Sequence, residues 1–459
     1  MAGPVAVIDI GKTHAKLVVV DGARVLEQEQ TPTPISTGGP YAHLEVEALF
    51  GWVCDALARA ALRHRLVAIV PTAYGSTAAL ISEAGLVLPV MDYEAEPPRH
   101  IVEGYGAIAP AFAEVFAPVN PAGLTLGRQL FWQQTDFADQ FAQATALLTA
   151  PQFWAWKLTG VAAGEITSLG AQTHLWAPLE NQYSSLAHQR GWAALVPPRR
   201  PAWEPLGPLL PEMRARTGIG EAVPVLCGIH DSSANYLRYL AGLDTPFTLL
   251  STGTWIIGFD AATRLDSLDM ARDTVANIGI DGRPIAASRF MGGREYAVLA
   301  GPGQATPDID DIARIIERQT YALPSFTDSG GPMPGTGGAG RIVGPKPETP
   351  AARAALATLY VALMTNCSLD AIGSAQPIIV DGPFARSRAF LGVLAGLRPA
   401  QTIDASGEPE GTSLGAALLW GWPGSTQQPA LALRRQGPAD LPGLAAYARQ
   451  WRQQVEAPD

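Results

Sequence analysis

Two periodicities alternate along this chain, and the switches between them mark its elements. Residues 5–22 read VAVIDIGKTHAKLVVVDG, two valine- and isoleucine-rich runs (5–10 and 15–20) joined by a glycine-bearing turn, which predicts a β-hairpin. FTLLSTGTWIIGFD (247–260) repeats the arrangement. Residues 44–64 place Val46, Leu49, Phe50, Val53, Leu57 and Ala61 on one helical face. LVAIVPTAYG (66–75) and GLVLPVMDYE (85–94) read as strands, and 137–160 as a helix stopped by the glycine of LTG. Prolines 197, 198, 201, 205, 208 and 211 predict an irregular surface connection. VPVLCGIHDSSANYL (223–237) reads as buried strand, turn and helix, and DSGGPMPGTGGAG (328–340) as a loop. A helix starts at Pro350 with Thr349 as its cap and a core stripe of Leu356, Leu359, Tyr360, Leu363, Met364 and Cys367. PIIVDG (377–382) is a strand feeding a helix near Ala385, and GTSLGAALLWG (411–421) is a closing helix. Strands alternating with helices give an α/β class.

At 459 residues the chain exceeds one compact core. The expected division is 1–242, 243–425 and an accessory helical segment, 426–459. A net charge of −10 argues against generic nucleic-acid affinity, which needs clustered Lys and Arg; an anionic nucleotide needs only a few local donors. Cys54, Cys227 and Cys367 are far apart and form no CxxC motif, so neither a disulfide framework nor a zinc site is expected. MAGPVAVIDI lacks a basic leader pattern, and no stretch approaches the roughly 18 uninterrupted apolar residues of a membrane span. A cytoplasmic protein with reduced thiols, no membrane partner, and homodimerisation left open is the expectation.

Gly11-Lys12-Thr13 is not a P-loop: Ala6 stands where that motif needs its first glycine, and strand rather than helix follows. Asp9 ends an apolar strand beside the turn, where ligands of α/β proteins collect; it reads as a water-mediated Mg²⁺ anchor or as a turn-forming Asp. Gly11, Lys12, Thr13 and Lys16 can offer donors to phosphate, Thr13 best of all because its hydroxyl and N–H lie in the turn. Ser251, Thr252, Gly253 and Thr254 present hydroxyls and N–H groups with no bulky side chain in the way, which suits phosphate oxygens as it suits an ordinary Ser/Thr turn. Asp231 reads as a base for an acceptor hydroxyl or as a helix N-cap, and His230 as a substrate hydrogen bonder or a packed ring. Gly293, and Gly382-Pro383-Phe384-Ala385-Arg386, read as sites where backbone comes close to a flat ligand, or as tight turns. Asp92, Tyr93 and Glu94 offer acceptors and a stacking face to a polyol, or are a solvated strand end. Paired phosphate hairpins with one acid suggest a two-lobed ATP-dependent phosphotransferase.

Over roughly residues 4–425 these segments resemble the FGGY carbohydrate kinases of the actin and hexokinase superfamily. DIGKTHAK resembles the family's first phosphate hairpin, LTAPQFWAWKLTG its mid-domain helix, GIHDSSAN its catalytic segment, STGTW its second phosphate hairpin, DGPFARSRAFLGVLA its adenine-side motif and EPEGTSLGAALLW its closing helix. The G-x-H-D form is most like rhamnulokinase and fuculokinase-type members. The resemblance implies two ribonuclease-H-like domains flanking a central cleft, ATP and Mg²⁺ as cofactors, Asp231 as general base and Asp9 near the metal. It also implies that Tyr74, Gly75, Asp92, Tyr93, Glu94, Gln172 and His230 lie toward the sugar. Lys12 and Pro383 depart from the family pattern. Tyr74-Gly75 replaces the Arg-Glu pair of glycerol kinases, which favours a ketose or deoxy-ketose such as L-rhamnulose or L-fuculose. A non-catalytic nucleotide switch or sugar sensor on the same fold is the rival reading.

Overall fold

The computed structural model describes residues 3–302, 305–328, 331–424 and 429–456. Residues 329–330 of the glycine-rich loop, and 426–428 and 457–459 of the C-terminal segment, lie outside them; the remaining loop residues form no regular element. The chain divides into two compact units that are not consecutive blocks. The first holds residues 1–244, 276–284 and 410–430, and the second holds 245–275, 285–409 and 431–459. The last segment is therefore no separate appendage: strand Leu433–Gln436 pairs with Ile403–Ser406 of the second unit, and helix Leu444–Glu456 buries Tyr447 and Trp451 there.

In the first unit, Val5–Ile10 and His14–Asp21 form the expected hairpin, extended by Arg24–Pro32. On its other side Val5–Ile10 runs parallel to Ala68–Ala73, which pairs in turn with Pro224–Leu226 and with Ile229–His230. The proline-rich stretch is more ordered than its composition predicts. Pro205–Pro208 is an antiparallel edge strand on Pro224–Leu226 with a register shift; an edge position tolerates prolines because one side of the strand needs no donor. The second unit repeats this plan. Thr248–Thr252 and Ile256–Asp260 form a hairpin extended by Pro284–Phe290, and Thr248–Thr252 runs parallel to Ile378–Asp381, which runs parallel to Ile403–Ser406.

Strand alternation decides what each hairpin face meets. Ala6, Ile8 and Ile10 join Leu17 and Val19 against helix Val46–Arg63, whose predicted residues Leu49, Phe50, Val53 and Leu57 are buried. Val5, Val7, Val18 and Val20 pack on the opposite side with Ala234, Leu237, Leu414 and Ala416. Asp9 continues the Val5–Val7 row and pairs in register with Lys16. The first unit therefore delivers Asp9 and Lys16 to the side where helices Asp231–Gly242 and Gly411–Ala417 pack. Those helices cross closely: a Cβ on Gly415 would lie 1.8 Å from the Ala234 carbonyl oxygen.

Three expected elements differ. Residues 137–160 split into a short helix Ala138–Phe141, a strand Ala146–Thr149 and a helix Ala150–Thr159, because Thr145 and Leu147 pair with the strand Ala78–Ser82 and Pro151 suits a helix start. GLVLPVMDYE keeps only the two-residue strand Gly85–Leu86 and a bridge at Met91. After Gly382 the chain makes a 3₁₀ turn, Pro383–Arg386, before helix Arg388–Leu397 begins. Thr349 caps Pro350–Ala371 as expected, its side chain accepting from the Ala352 N–H. Among the described residues this is the one helix long and apolar enough to cross a membrane, and 89% of its apolar window is buried within the protein.

Candidate active site

The first hairpin turn is closed by the Gly11 N–H donating to the His14 carbonyl at 3.0 Å. Asp9 stands at its base, only partly accessible. Desolvation by the surrounding protein and the negative charge of Asp231 push its carboxyl up to about 7; Glu410 adds to the shift, and Lys16 opposes it. Lys16 is held by Glu410, with Nζ 2.9 and 3.0 Å from the two carboxylate oxygens. Thr13 is exposed in the turn, and its carbonyl accepts from the Thr33 N–H at 2.9 Å. Lys12 points elsewhere: its Nζ lies 2.6 Å from both oxygens of Asp92 and 3.3 Å from Glu94.

Asp231 opens helix Asp231–Gly242. Its Oδ1 accepts from the Ser232 N–H at 2.5 Å and the Ser232 hydroxyl at 3.2 Å, and lies 3.2 Å from His230 Nε2. Oδ2 has no hydrogen-bond partner among the described residues. Burial holds the His230 imidazole below its ordinary value against the opposing pull of Asp231, so the ring is neutral near pH 7. The segment leading to Asp231 is fastened from three sides. Gln152 Nε2 donates to the Cys227 and Gly228 carbonyls at 3.1 Å each. Gly228 has φ +88°, and a Cβ there would lie 2.5 Å from the Pro71 carbonyl oxygen. The His230 N–H donates to Thr167 Oγ1, which donates at 2.6 Å to the buried Glu165; Glu165 also accepts from the Thr167 and Ser168 N–H groups.

The residues expected to lie toward a sugar are in the same unit. Tyr74 and Tyr93 meet edge to face, centroids 5.5 Å apart, and burial first, then the charge of Glu94, with smaller pushes from Tyr74, Asp231 and Asp92, raises the Tyr93 phenol. Gly75 faces His230, where a Cβ would come within 2.9 Å of Nε2. Asp92 is buried and Glu94 exposed. Gln172 has φ +59° and follows Ala171, which borders Gly75.

In the second unit the Gly253 N–H closes its turn on the Trp255 carbonyl at 2.8 Å. Thr252 is committed to the scaffold: its hydroxyl donates to the Asp381 carbonyl and accepts from the Phe384 N–H. A Cβ on Gly293 would lie 2.1 Å from the Gly253 carbonyl oxygen, and one on Gly382, at φ +86°, 2.0 Å from that of Thr252. Other backbone presses on both glycines, which is the tight-turn alternative for these segments. The flat surface is next to them. A cavity of about 660 Å³ is lined by Gly253, Thr254, Gly293, Tyr296, Pro383, Phe384 and Arg386, with the Tyr296 and Phe384 rings edge to face at 5.6 Å. Ser251 is half-buried at the strand end.

Sequence reasoning missed Glu410 as the partner of Lys16, although EPEGTSLG was in view. It also missed Gln152, although LTAPQFWAWKLTG was in view, and Glu165 and Thr167.

A family model described as the carbohydrate kinase FGGY C-terminal domain matches residues 244–429. No curated protein matches the chain in sequence. Among solved structures the chain is similar to a carbohydrate kinase from Novosphingobium aromaticivorans, at 34% identity and TM-score 0.91 over 99% of both chains. A xylulose kinase from Rhodospirillum rubrum follows the same fold at 18% identity and TM-score 0.81 over 98% of both chains. So does a gluconate kinase from Lactobacillus acidophilus, at 15% identity and TM-score 0.80 over 98% of this chain and 96% of that one.

Proposed function

Because this chain belongs to the FGGY carbohydrate kinases, phosphotransferases with an alcohol acceptor, we propose that it moves the γ-phosphoryl group of ATP to a hydroxyl of a small ketose or deoxy-ketose, of the L-rhamnulose or L-fuculose type. The observation that carries this reading is Asp231. One of its oxygens is fixed by Ser232 and His230, and the other is open to an alcohol proton. Phosphoryl transfer asks for positioning and charge neutralisation, with a base in hydrogen-bond reach of the attacking hydroxyl. Tyr74, Gly75, Asp92, Tyr93, Glu94 and Gln172 surround the sugar in this reading.

Asp9 fits a magnesium ion: Mg²⁺ needs one or two carboxylates with waters and phosphates, and a carboxyl raised to about 7 among like charges gains from a cation. When bound, that ion neutralises charge on the β- and γ-phosphates. Within the first unit Gly11 and Thr13 offer donors to phosphate oxygens while Lys16 stays paired with Glu410; within the second unit Ser251, Gly253 and Thr254 offer donors of the same kind. Tyr296, Pro383, Phe384 and Arg386 enclose the base. The test is ADP release from ATP with and without a panel of neutral ketoses and deoxy-ketoses. Stimulation by a member of the panel is expected. Release indifferent to every sugar would reject the kinase in favour of a switch.

A further inference from the structure

We infer that Lys12 is a positioning residue for the sugar rather than a phosphate ligand, and that the carboxylates around it select a neutral polyhydroxy substrate over a sugar acid. The inference rests on the sugar-kinase reading above. Lys12 sits in the turn of the first hairpin, yet its ammonium leaves that turn. It contacts both oxygens of Asp92 at 2.6 Å and Glu94 at 3.3 Å, and lies 5.3 Å from the centroid of the Tyr93 ring. The lysine whose charge acts on Asp9 is Lys16. Asp92 is only 5% exposed, and a carboxylate so placed needs a fixed counter-charge. Lys12 supplies it, and the Glu94 N–H adds a bond to Asp92 Oδ1 at 3.0 Å. The hairpin and the sugar-side segment are thereby tied together across 80 residues of sequence.

This arrangement has a consequence for the substrate. The ammonium of Lys12 is already shared between two carboxylates, and that of Lys16 is held by Glu410. Asp9, Asp92, Glu94, Asp231 and Glu410 stand against these two lysines. An alcohol donates its proton to such acceptors. A substrate carboxylate can only accept, finds no uncommitted lysine in this set, and adds a like charge.

The experiment compares the full-length wild type with Lys12→Met and Lys12→Arg in steady-state kinetics, with the best neutral ketose of the panel and with gluconate as the sugar-acid probe. For wild type, gluconate should show a kcat/KM at least about 100-fold below that of the ketose. Lys12→Met should raise the sugar KM about tenfold and leave the ATP KM within about twofold, and Lys12→Arg should recover much of the sugar affinity. A tenfold rise in the ATP KM with the sugar KM unchanged would overturn the inference, as would preference for gluconate or no change in either constant. If Lys12→Met fails to fold, Glu94→Gln, on an exposed side chain, carries the test: the ketose-to-gluconate ratio should narrow, and an unchanged ratio counts against selection by charge. The failure of the kinase reading looks different. Wild type would then respond to no sugar at all, neutral or acidic, and both statements fall.

Discussion

Replacing Asp9 by Asn should stabilise the unliganded protein above pH 7 while abolishing its activity. The folded carboxyl titrates at about 7 against an ordinary 3.8. A group whose proton is held more tightly in the folded state contributes most stability at low pH, and that contribution is lost as pH rises from about 4 to 7. The full shift is worth about 4 kcal/mol at 1.36 kcal/mol per unit. Asp9 retains some solvent contact, so about 2 kcal/mol is the working figure. For a unit of this size that corresponds to roughly 4–8 °C in melting temperature. Melting curves of wild type and Asp9→Asn at pH 5 and pH 8, without nucleotide or magnesium, read it directly. The variant should melt above wild type at pH 8, and the gap should shrink or reverse at pH 5. A difference independent of pH, or a variant less stable at pH 8, would refute the burial and like-charge account of Asp9. Magnesium with ADP should raise the wild-type melting temperature at pH 8 and raise that of Asp9→Asn less.

The other predictions test how the site is held. Gly415→Ala places a methyl 1.8 Å from the Ala234 carbonyl oxygen on the helix that Asp231 opens; an ångström of displacement there should lower kcat about 100-fold with ATP affinity retained, checked by kinetics and nucleotide titration. Gly382→Ala meets the Thr252 oxygen at 2.0 Å and a φ of +86°, so the second unit should lose several kcal/mol in denaturant unfolding and lose nucleotide affinity. Glu165→Gln replaces one oxygen of the buried carboxyl that caps Ile166–Leu169 and fixes Thr167 under His230; a loss of about 1–2 kcal/mol is expected, with kcat reduced more than sugar KM changes.

The hairpins were legible because β-branched runs flanking a glycine turn have few alternatives, and helix Pro350–Ala371 because Thr-Pro punctuates its start. The placement of Asp9 was legible too, since strand alternation and the turn decide its face. Composition misled at 205–208, where edge position overrides the reluctance of proline to enter a sheet. It misled again at 137–160, where a four-residue strand ends just before Pro151 starts the next helix. The discontinuous units were beyond reach, because the return of 410–430 to the first unit is decided by packing of Gly415 on Ala234 and by the Lys16–Glu410 pair. The destination of Lys12 had no sequence signal either. A flexible four-carbon stem reaches phosphate or carboxylate equally well, and only the distance to Asp92 separates the two.

The most direct measurement for the central claim compares wild type with Asp231→Asn on the stimulating sugar, following sugar-phosphate formation by phosphorus NMR alongside nucleotide binding by calorimetry. Asn keeps the side-chain volume and the Oδ1 contact with Ser232 but cannot take a proton. The account predicts a fall in turnover of about 10²–10⁴-fold with nucleotide affinity within a few-fold of wild type. Turnover close to wild type in a folded, nucleotide-binding variant would contradict it.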